Sequence, residues 1–522
     1  MNSNYEDMEE QLKEQFFYRR EQEEFVSNHV GSNPRDIVLV ILPNICSIIL
    51  VATSMGLIGK YLNQYLRILL ELLLVIVPCV LCCTILSEHA ISVSSAMILL
   101  SIGNVILMAM NFNTFGIFKG NLKPLNSRRH PFITNFRSVT NVISIACILA
   151  VDFKIFPRRF VKTEIYGYSL MDTGVGLFML ANALVDPEAR NVQVYRASES
   201  VYKTLRRNLQ QSVKGSAALL ILAYGRYLAV ELIGYQRHVS EYGIHWNFFG
   251  TLALVRILVS IISSIVSAQY SLLTGILVLT MHEYALSGKE LKIWILSDGP
   301  RNNFFSANRE GLLAIPGYVA LYFFGIAVGR IIHSTYKRNS NDSVDLSVKV
   351  FGFNIEFAIN NSMVLCIKLS VFTIQACTAL LLCDSYFQVS RRLANSGYCV
   401  WILTLGVAML SFLILVDVFI DILVGATVSA YRGQYKGSDV RSEIDSKMEV
   451  MPVRNVPEVF EAVNYNGLFF FILGNLMTGG VNLITKTLYV NDISAIQILI
   501  LYMFINLLVV TVLYKYKIQI KF

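Results

Sequence analysis

The chain is written mostly as long apolar runs separated by short polar ones. A helix needs about 20 apolar residues to cross a bilayer. Runs of that kind fall near 35–57, 66–87, 90–110, 137–153, 168–186, 215–234, 247–267, 270–286, 312–333, 362–384, 398–425, 467–485 and 494–514. The run at 137–153 is short, and 247–286 reads as two short spans or one long bent one. The polar segments between them carry no periodic apolar pattern that would build a separate core. The expected fold is therefore all-α: a polytopic membrane protein of about thirteen transmembrane helices with no large soluble domain. Residues 1–34 form a charged N-terminal segment, 35–515 a single transmembrane domain, and 516–522 a short basic tail.

Composition agrees with this picture. Hydrophobic residues make up 54% of the chain and charged ones only 15%, against about 25% charged in soluble proteins. The net charge of +8 is gathered in a few loops and forms no basic stripe, so nucleic acid is not an expected partner. The loops at 111–136, 187–214, 334–361 and 426–466 and the C-terminal tail are the richer in Lys and Arg. By the positive-inside rule they face the cytosol. An odd number of spans then puts the N-terminus and the 152–167 segment in the lumen and the C-terminus in the cytosol. No apolar stretch follows a short basic head at the N-terminus, so the first span is expected to act as the insertion signal. The nine cysteines lie in apolar runs and read as buried thiols. Cys79 and Cys82 form a C-x-x-C without a second ligand pair, so no metal is expected. Asn341 and Asn360 begin sequons in a loop placed in the cytosol, where they would stay unglycosylated.

One polar island stands out. Asp152-Phe-Lys-Ile-Phe-Pro-Arg-Arg-Phe-Val-Lys162-Thr-Glu164 sits between two apolar runs, and its four bases fall on the side that normally avoids them. A carboxylate at the end of an apolar stretch is partly desolvated and has a raised pKa, which suits a general base. Pro157 breaks any helix here, so Asp152 and Lys162 are free to approach. Lys162 could then orient the carboxylate or stabilise an oxyanion, and Arg158 and Arg159 could hold a phosphate. The competing reading is a salt-bridge cluster that anchors a helix end.

Other candidates follow. Asp172, with Gly174 and Gly176, lies one turn inside a span and could meet an acyl chain or simply pack a helix. His245, Trp246 and Asn247 open a span and could bind a headgroup or anchor at the interface. Asn308 and Glu310 precede another span, where Ser306 or Asn308 would cap the helix. Asn475 and Asn482 are seven apart and share a helix face. Asp417, Asp421, Arg256 and Lys368 lie within spans and are functional candidates by default. No G-x-S-x-G, P-loop or H-E-x-x-H motif occurs, so direct attack by a substrate hydroxyl, aided by a base, is simpler than an acyl-enzyme.

At these same residues the chain resembles the GPI inositol acyltransferase (PIG-W) family. The blocks that carry the resemblance are AVDFKIFPRRFVKTEIYGYSLMDTGVG, GIHWNFFGTLAL, ANREGLLAIPGYVALY and GNLMTGGVNL, in that order along the chain. The resemblance implies a multi-pass enzyme of the endoplasmic reticulum membrane with a lumenal N-terminus and cytosolic C-terminus. It implies transfer of a fatty acyl group, usually palmitoyl, from palmitoyl-CoA to the inositol 2-hydroxyl of glucosaminyl-phosphatidylinositol. Acyl-CoA is then a co-substrate, no further cofactor is needed, and Asp152 and Lys162 are the catalytic pair. The remaining alternatives are an MBOAT-type acyltransferase working through His282 and a lipid or ion transporter lined by Asp417, Asp421 and Lys368.

Overall fold

The computed structural model describes residues 13, 16–18, 20–27, 29–111, 130–190, 201–233, 239–288, 291–297, 299–338, 344–350, 353–359, 361–434 and 453–520. The helices run in the order α1 Pro34–Ile58, α2 Gln64–Cys83, α3 Ala90–Asn111, α4 Pro131–Ala150, α5 Leu170–Ala183 and α6 Val201–Ile233. They continue with the short α7 Val239–Tyr242, then α8 Phe248–Ile265, α9 Ser271–Gly288, the short α10 Leu291–Leu296, α11 Phe304–Ala307 and α12 Arg309–Leu313, and α13 Ile315–Arg338. After an antiparallel hairpin, β1 Val344–Val350 and β2 Phe353–Ile359, come α14 Asn361–Tyr386, α15 Ser396–Gln434, α16 Glu458–Tyr465, α17 Gly467–Ile484 and α18 Asp492–Lys515. The hairpin is the one departure, among the described residues, from the all-helical expectation.

Among the described residues ten helices are long and apolar enough to cross a membrane, so the expected count of thirteen is not reached there. The other three expected spans coincide with α5, α6 and α9. At 14 residues α5 is too short for a full crossing. Helix α6 is long but its first half, Val201–Lys214, is strongly polar, and α9 carries His282 and Glu283 within 18 residues. Asn341 and Asn360 lie outside the described residues.

Helix starts follow from local chemistry. Pro34 stands in the first turn of α1, where its missing N–H costs nothing. Asn63, Ser169, Asn247 and Asn491 each accept a backbone N–H as N-caps of α2, α5, α8 and α18. Burial separates an inner layer from an outer one. In α4 and in the Arg309–Lys337 span, 78% of the apolar window is buried, against 17% in α14 and in α17. The inner helices therefore carry the core, and the outer ones offer one face to lipid. Helix α4 touches α5, α15, α16 and α17, so the polar island, which leaves the end of α4, starts from the centre of the molecule.

Candidate functional site

The island folds as a tight loop with a single 3-10 turn, Arg158–Phe160. Its apolar members Phe153, Phe156, Phe160 and Val161 are fully buried, and they hold the polar ones in place. Arg158 lies inside the loop. Its guanidinium donates to the carbonyls of Phe156, Val151 and Phe153 at 2.9 to 3.1 Å, and its face stacks on Phe25, 4.0 Å from the ring centroid. Burial lowers its pKa to about 10, partly opposed by Asp152. These donors close the loop, and so are not displayed for a phosphate. Arg159 points elsewhere, to Glu88 at 3.1 Å and Ser87 at 3.3 Å.

The loop is fastened on two further sides. Asp172, in the first turn of α5, accepts from the backbone N–H of Thr163 at 3.0 Å and from its hydroxyl at 2.7 Å. Its other oxygen pairs with Arg391 Nε at 2.6 Å, and both side chains are buried. Burial would lower the Arg391 pKa, but the neighbouring Asp172 carboxylate overrides it and holds the pKa well above the ordinary value. Asp172 thus staples the loop, while Gly174, two residues on, lines a cavity beside it. On the opposite side, residues 29–32 run beside 164–168, with Ser32 donating to the Tyr168 carbonyl at 2.7 Å. Gly31 and Gly167 have φ of +92° and +137°. A Cβ on either would collide with the facing carbonyl, Tyr168 O or Val30 O, so glycine is required at both.

Beside this loop lies a cavity of about 780 Å³, within the range of small-molecule sites. Asp152, Lys162, His245, Trp246, Asn247 and Asn475 are in its wall. Arg158, Arg159, Asp172, Asn308, Glu310 and Asn482 are not. Ile143 and Ile148 of α4, Val175, Leu177 and Phe178 of α5, and Phe471 of α17 give the wall an apolar section.

Asp152 sits where α4 ends, with one carboxylate oxygen accepting from Asn482 Nδ2 at 2.8 Å. Burial raises its pKa to about 6, offset by the Asn482 hydrogen bond and by the charges of Arg158 and Lys162. The approach of Lys162 to Asp152 is electrostatic only. The Lys162 ammonium binds Glu241 Oε1 at 2.6 Å, a partner 79 positions away that no local pattern points to. Of the two asparagines on α17, only Asn482 reaches across to another element; Asn475 donates to Phe471 of its own helix at 2.7 Å.

The 241–247 segment forms the facing wall. Asn308 Oδ1 accepts from the backbone N–H groups of His245 and Trp246 at 2.7 and 3.0 Å, and Asn247 caps α8 while donating to the Ala223 carbonyl at 2.8 Å. Trp246 donates to Thr251 at 2.9 Å. Asn308 does stand at the N-cap position of α12, but its side chain makes no capping hydrogen bond there; Ser306 lies in the short α11, in a reciprocal capping box with Asn303. Asn308 is freed to brace the cavity wall. Glu310 is fully buried among cations, bonded to Arg301 at 2.6 Å and Arg392 at 3.1 Å, and so holds the scaffold outside the cavity. Two polar atoms of the wall, the Tyr242 hydroxyl and His245 Nδ1, are buried and have no hydrogen-bond partner among the described residues. Burial pushes the Tyr242 phenol up to about 12, so it is a donor at neutral pH.

The residues of the rival readings lie elsewhere. His282 is bonded to the Leu393 carbonyl at 3.0 Å. Asp417 accepts from the Phe132 N–H at 2.8 Å, Asp421 from Asn455 at 2.7 Å, and Lys368 donates to Thr335 at 2.9 Å. None of the four is in the cavity wall. Among the described residues no group of His, Cys, Asp and Glu is placed to hold a metal ion.

The model of the GWT1 family matches residues 18–513. The glucosaminyl-phosphatidylinositol-acyltransferase PIGW of Homo sapiens is 32% identical over 403 residues, covering 75% of this chain and 74% of its own. The protein of the same name from Bos taurus is 31% identical over 522 residues, covering 96% and 98%. The GPI-anchored wall transfer protein 1 of Saccharomyces cerevisiae is 31% identical over 404 residues, covering 75% of each chain.

Proposed function

The chain belongs to the GWT1 family, and from that premise we propose how its cavity works. It is a membrane acyltransferase of GPI-anchor biosynthesis, as the names of its relatives support. Its acceptor is the inositol of glucosaminyl-phosphatidylinositol, its donor a long-chain acyl-CoA such as palmitoyl-CoA, and its place the endoplasmic reticulum membrane. The observation that carries the chemistry is Asp152: a carboxylate buried at a helix end, held by Asn482, with a pKa of about 6, in the wall of a cavity that is partly apolar.

A sugar hydroxyl is too weak an acid to attack a thioester unaided at neutral pH. Asp152 accepts its proton as the new ester bond forms, a contribution of typically 10²–10⁴-fold. Lys162, tied to Glu241, supplies a fixed positive charge for the oxyanion that develops on the thioester carbonyl. The thiolate of CoA leaves and takes up the proton. The apolar section between α4, α5 and α17 accommodates the acyl chain, and holding two lipids in one cavity supplies proximity. A thioester is already activated, so this route needs no covalent enzyme intermediate.

The test is direct. Purified protein is given radiolabelled palmitoyl-CoA and glucosaminyl-phosphatidylinositol, and the product is treated with mild alkali. The expected product is an acylated inositol whose label is released as free fatty acid. No labelled acceptor from protein with normal folding would refute the reading.

A further inference from the structure

Six Asp, Glu, Lys and Arg side chains are in the cavity wall: Asp152, Lys162, Glu164, Arg226, Glu241 and Arg391. Four of them have close partners. Lys162 and Glu241 satisfy each other at 2.6 Å, Arg391 is held by Asp172 at 2.6 Å, and Asp152 accepts from Asn482 at 2.8 Å. Glu164 is different. Its ion pair is long, 3.9 Å from Arg392 Nη1, and Arg392 is bonded more closely to Glu310. Its side chain is 37% exposed, toward the cavity.

The backbone that carries Glu164 is rigid. Its own N–H donates to the His29 carbonyl at 3.1 Å, and Thr163 beside it is fixed by Asp172. A carboxylate on such a base, weakly paired in a mostly apolar cavity, favours a ligand that brings a positive charge. Arg226, on α6, faces the same cavity, with no ion pair among the described residues. Among the described residues the cavity wall thus offers a weakly paired anion, Glu164, and a cation without an ion pair, Arg226.

The acceptor named above has the complementary charges. Glucosamine carries a free amine, protonated near neutral pH, and phosphatidylinositol carries an anionic phosphodiester. We propose that Glu164 is the specificity-determining residue of the acceptor site, receiving the glucosamine ammonium, while Arg226 receives the phosphodiester. This rests on the acceptor assignment above. N-acetylation turns the ammonium into a neutral amide, leaving Glu164 without its counter-charge. On this assignment Glu164 is the group that distinguishes the amine from its N-acetyl form.

The experiment uses the purified full-length protein in phosphatidylcholine nanodiscs, with glucosaminyl-phosphatidylinositol and its N-acetyl form as probes. Binding is measured without donor, and acylation separately with palmitoyl-CoA. Wild type is expected to bind the amine form at least about tenfold more tightly, as for a lost charge-assisted hydrogen bond. Glu164→Gln should abolish that preference by weakening the amine form alone, and Arg226→Gln should weaken both forms about equally. Equal binding of the two forms by wild type, or a preference unchanged in Glu164→Gln, overturns the proposal. If Glu164→Gln does not fold, Glu164→Asp is read instead: the preference should fall severalfold, and an unchanged preference overturns the proposal there too. Selective binding without acylation of either form would fault the acceptor chemistry proposed earlier and leave this site standing. Acylation of both forms without selectivity would do the reverse.

Discussion

At the scale of single residues, Asp152 combines a catalytic advantage with a cost to folding. A carboxyl raised from 3.8 to about 6 favours the folded state fully below pH 3.8, and that contribution is lost as pH rises through about 6. At neutral pH the buried charge costs up to about 3 kcal/mol. Asp152→Asn should therefore match or exceed wild type in thermal stability at pH 7, as measured by unfolding in detergent. The same pKa sets the acidic limb of activity. The value of kcat/KM should fall about tenfold per pH unit below about 6 and level off above it, and a limb near pH 4 would mean that the base is a solvated carboxylate. The Lys162–Glu241 pair makes a second prediction. Glu241 acts on the reaction through Lys162, so the double variant Lys162→Ala with Glu241→Gln should be no worse than Lys162→Ala alone. Additive losses would show that Glu241 has an independent role.

At the scale of elements, the island depends on its staples. Asp172 on α5 joins the loop at Thr163 to Arg391 in the turn between α14 and α15. Removing one partner of a buried pair leaves an uncompensated charge and typically costs 3–5 kcal/mol. Asp172→Ala should lower stability by about that amount. Replacing Arg391 with Met as well should recover part of the loss, and no recovery would argue that Asp172 acts mainly through Thr163. The island and its apolar surroundings were legible in the sequence because a cluster of charges between long apolar runs is costly and rare. Its internal wiring was not. Asp172 and Arg391 are 219 positions apart, and Lys162 and Glu241 are 79 apart, so no local period connects them. The Arg391–Arg392 pair between two apolar spans was the one signal that could have been followed. Arg158 and Arg159 looked alike in sequence; only the fold turns one onto backbone carbonyls and the other onto Glu88.

At the scale of the whole molecule, parity decides the topology. Among the described residues ten helices meet the length and hydropathy needed to cross, an even number that by itself would leave both termini on one side. If α5, α6 and α9 also cross, packed against the inner helices, the number is odd and the termini are on opposite sides. We expect the latter, from the Lys and Arg content of the loops. An N-terminal tag should be protected from protease in sealed microsomes and a C-terminal tag digested, and like behaviour of the two tags would remove at least one of the three. This topology sets Asp152 on the side opposite to the cytosolic source of acyl-CoA, so the cavity must admit the thioester from within the membrane. Asp152 as the base in that cavity is tested most directly by one measurement: the rate of inositol acylation by purified Asp152→Asn at pH 7.5, with palmitoyl-CoA and glucosaminyl-phosphatidylinositol. The prediction is a loss of at least about 100-fold in a protein of normal abundance and undiminished thermal stability, whereas a near-normal rate in that well-folded protein would contradict it.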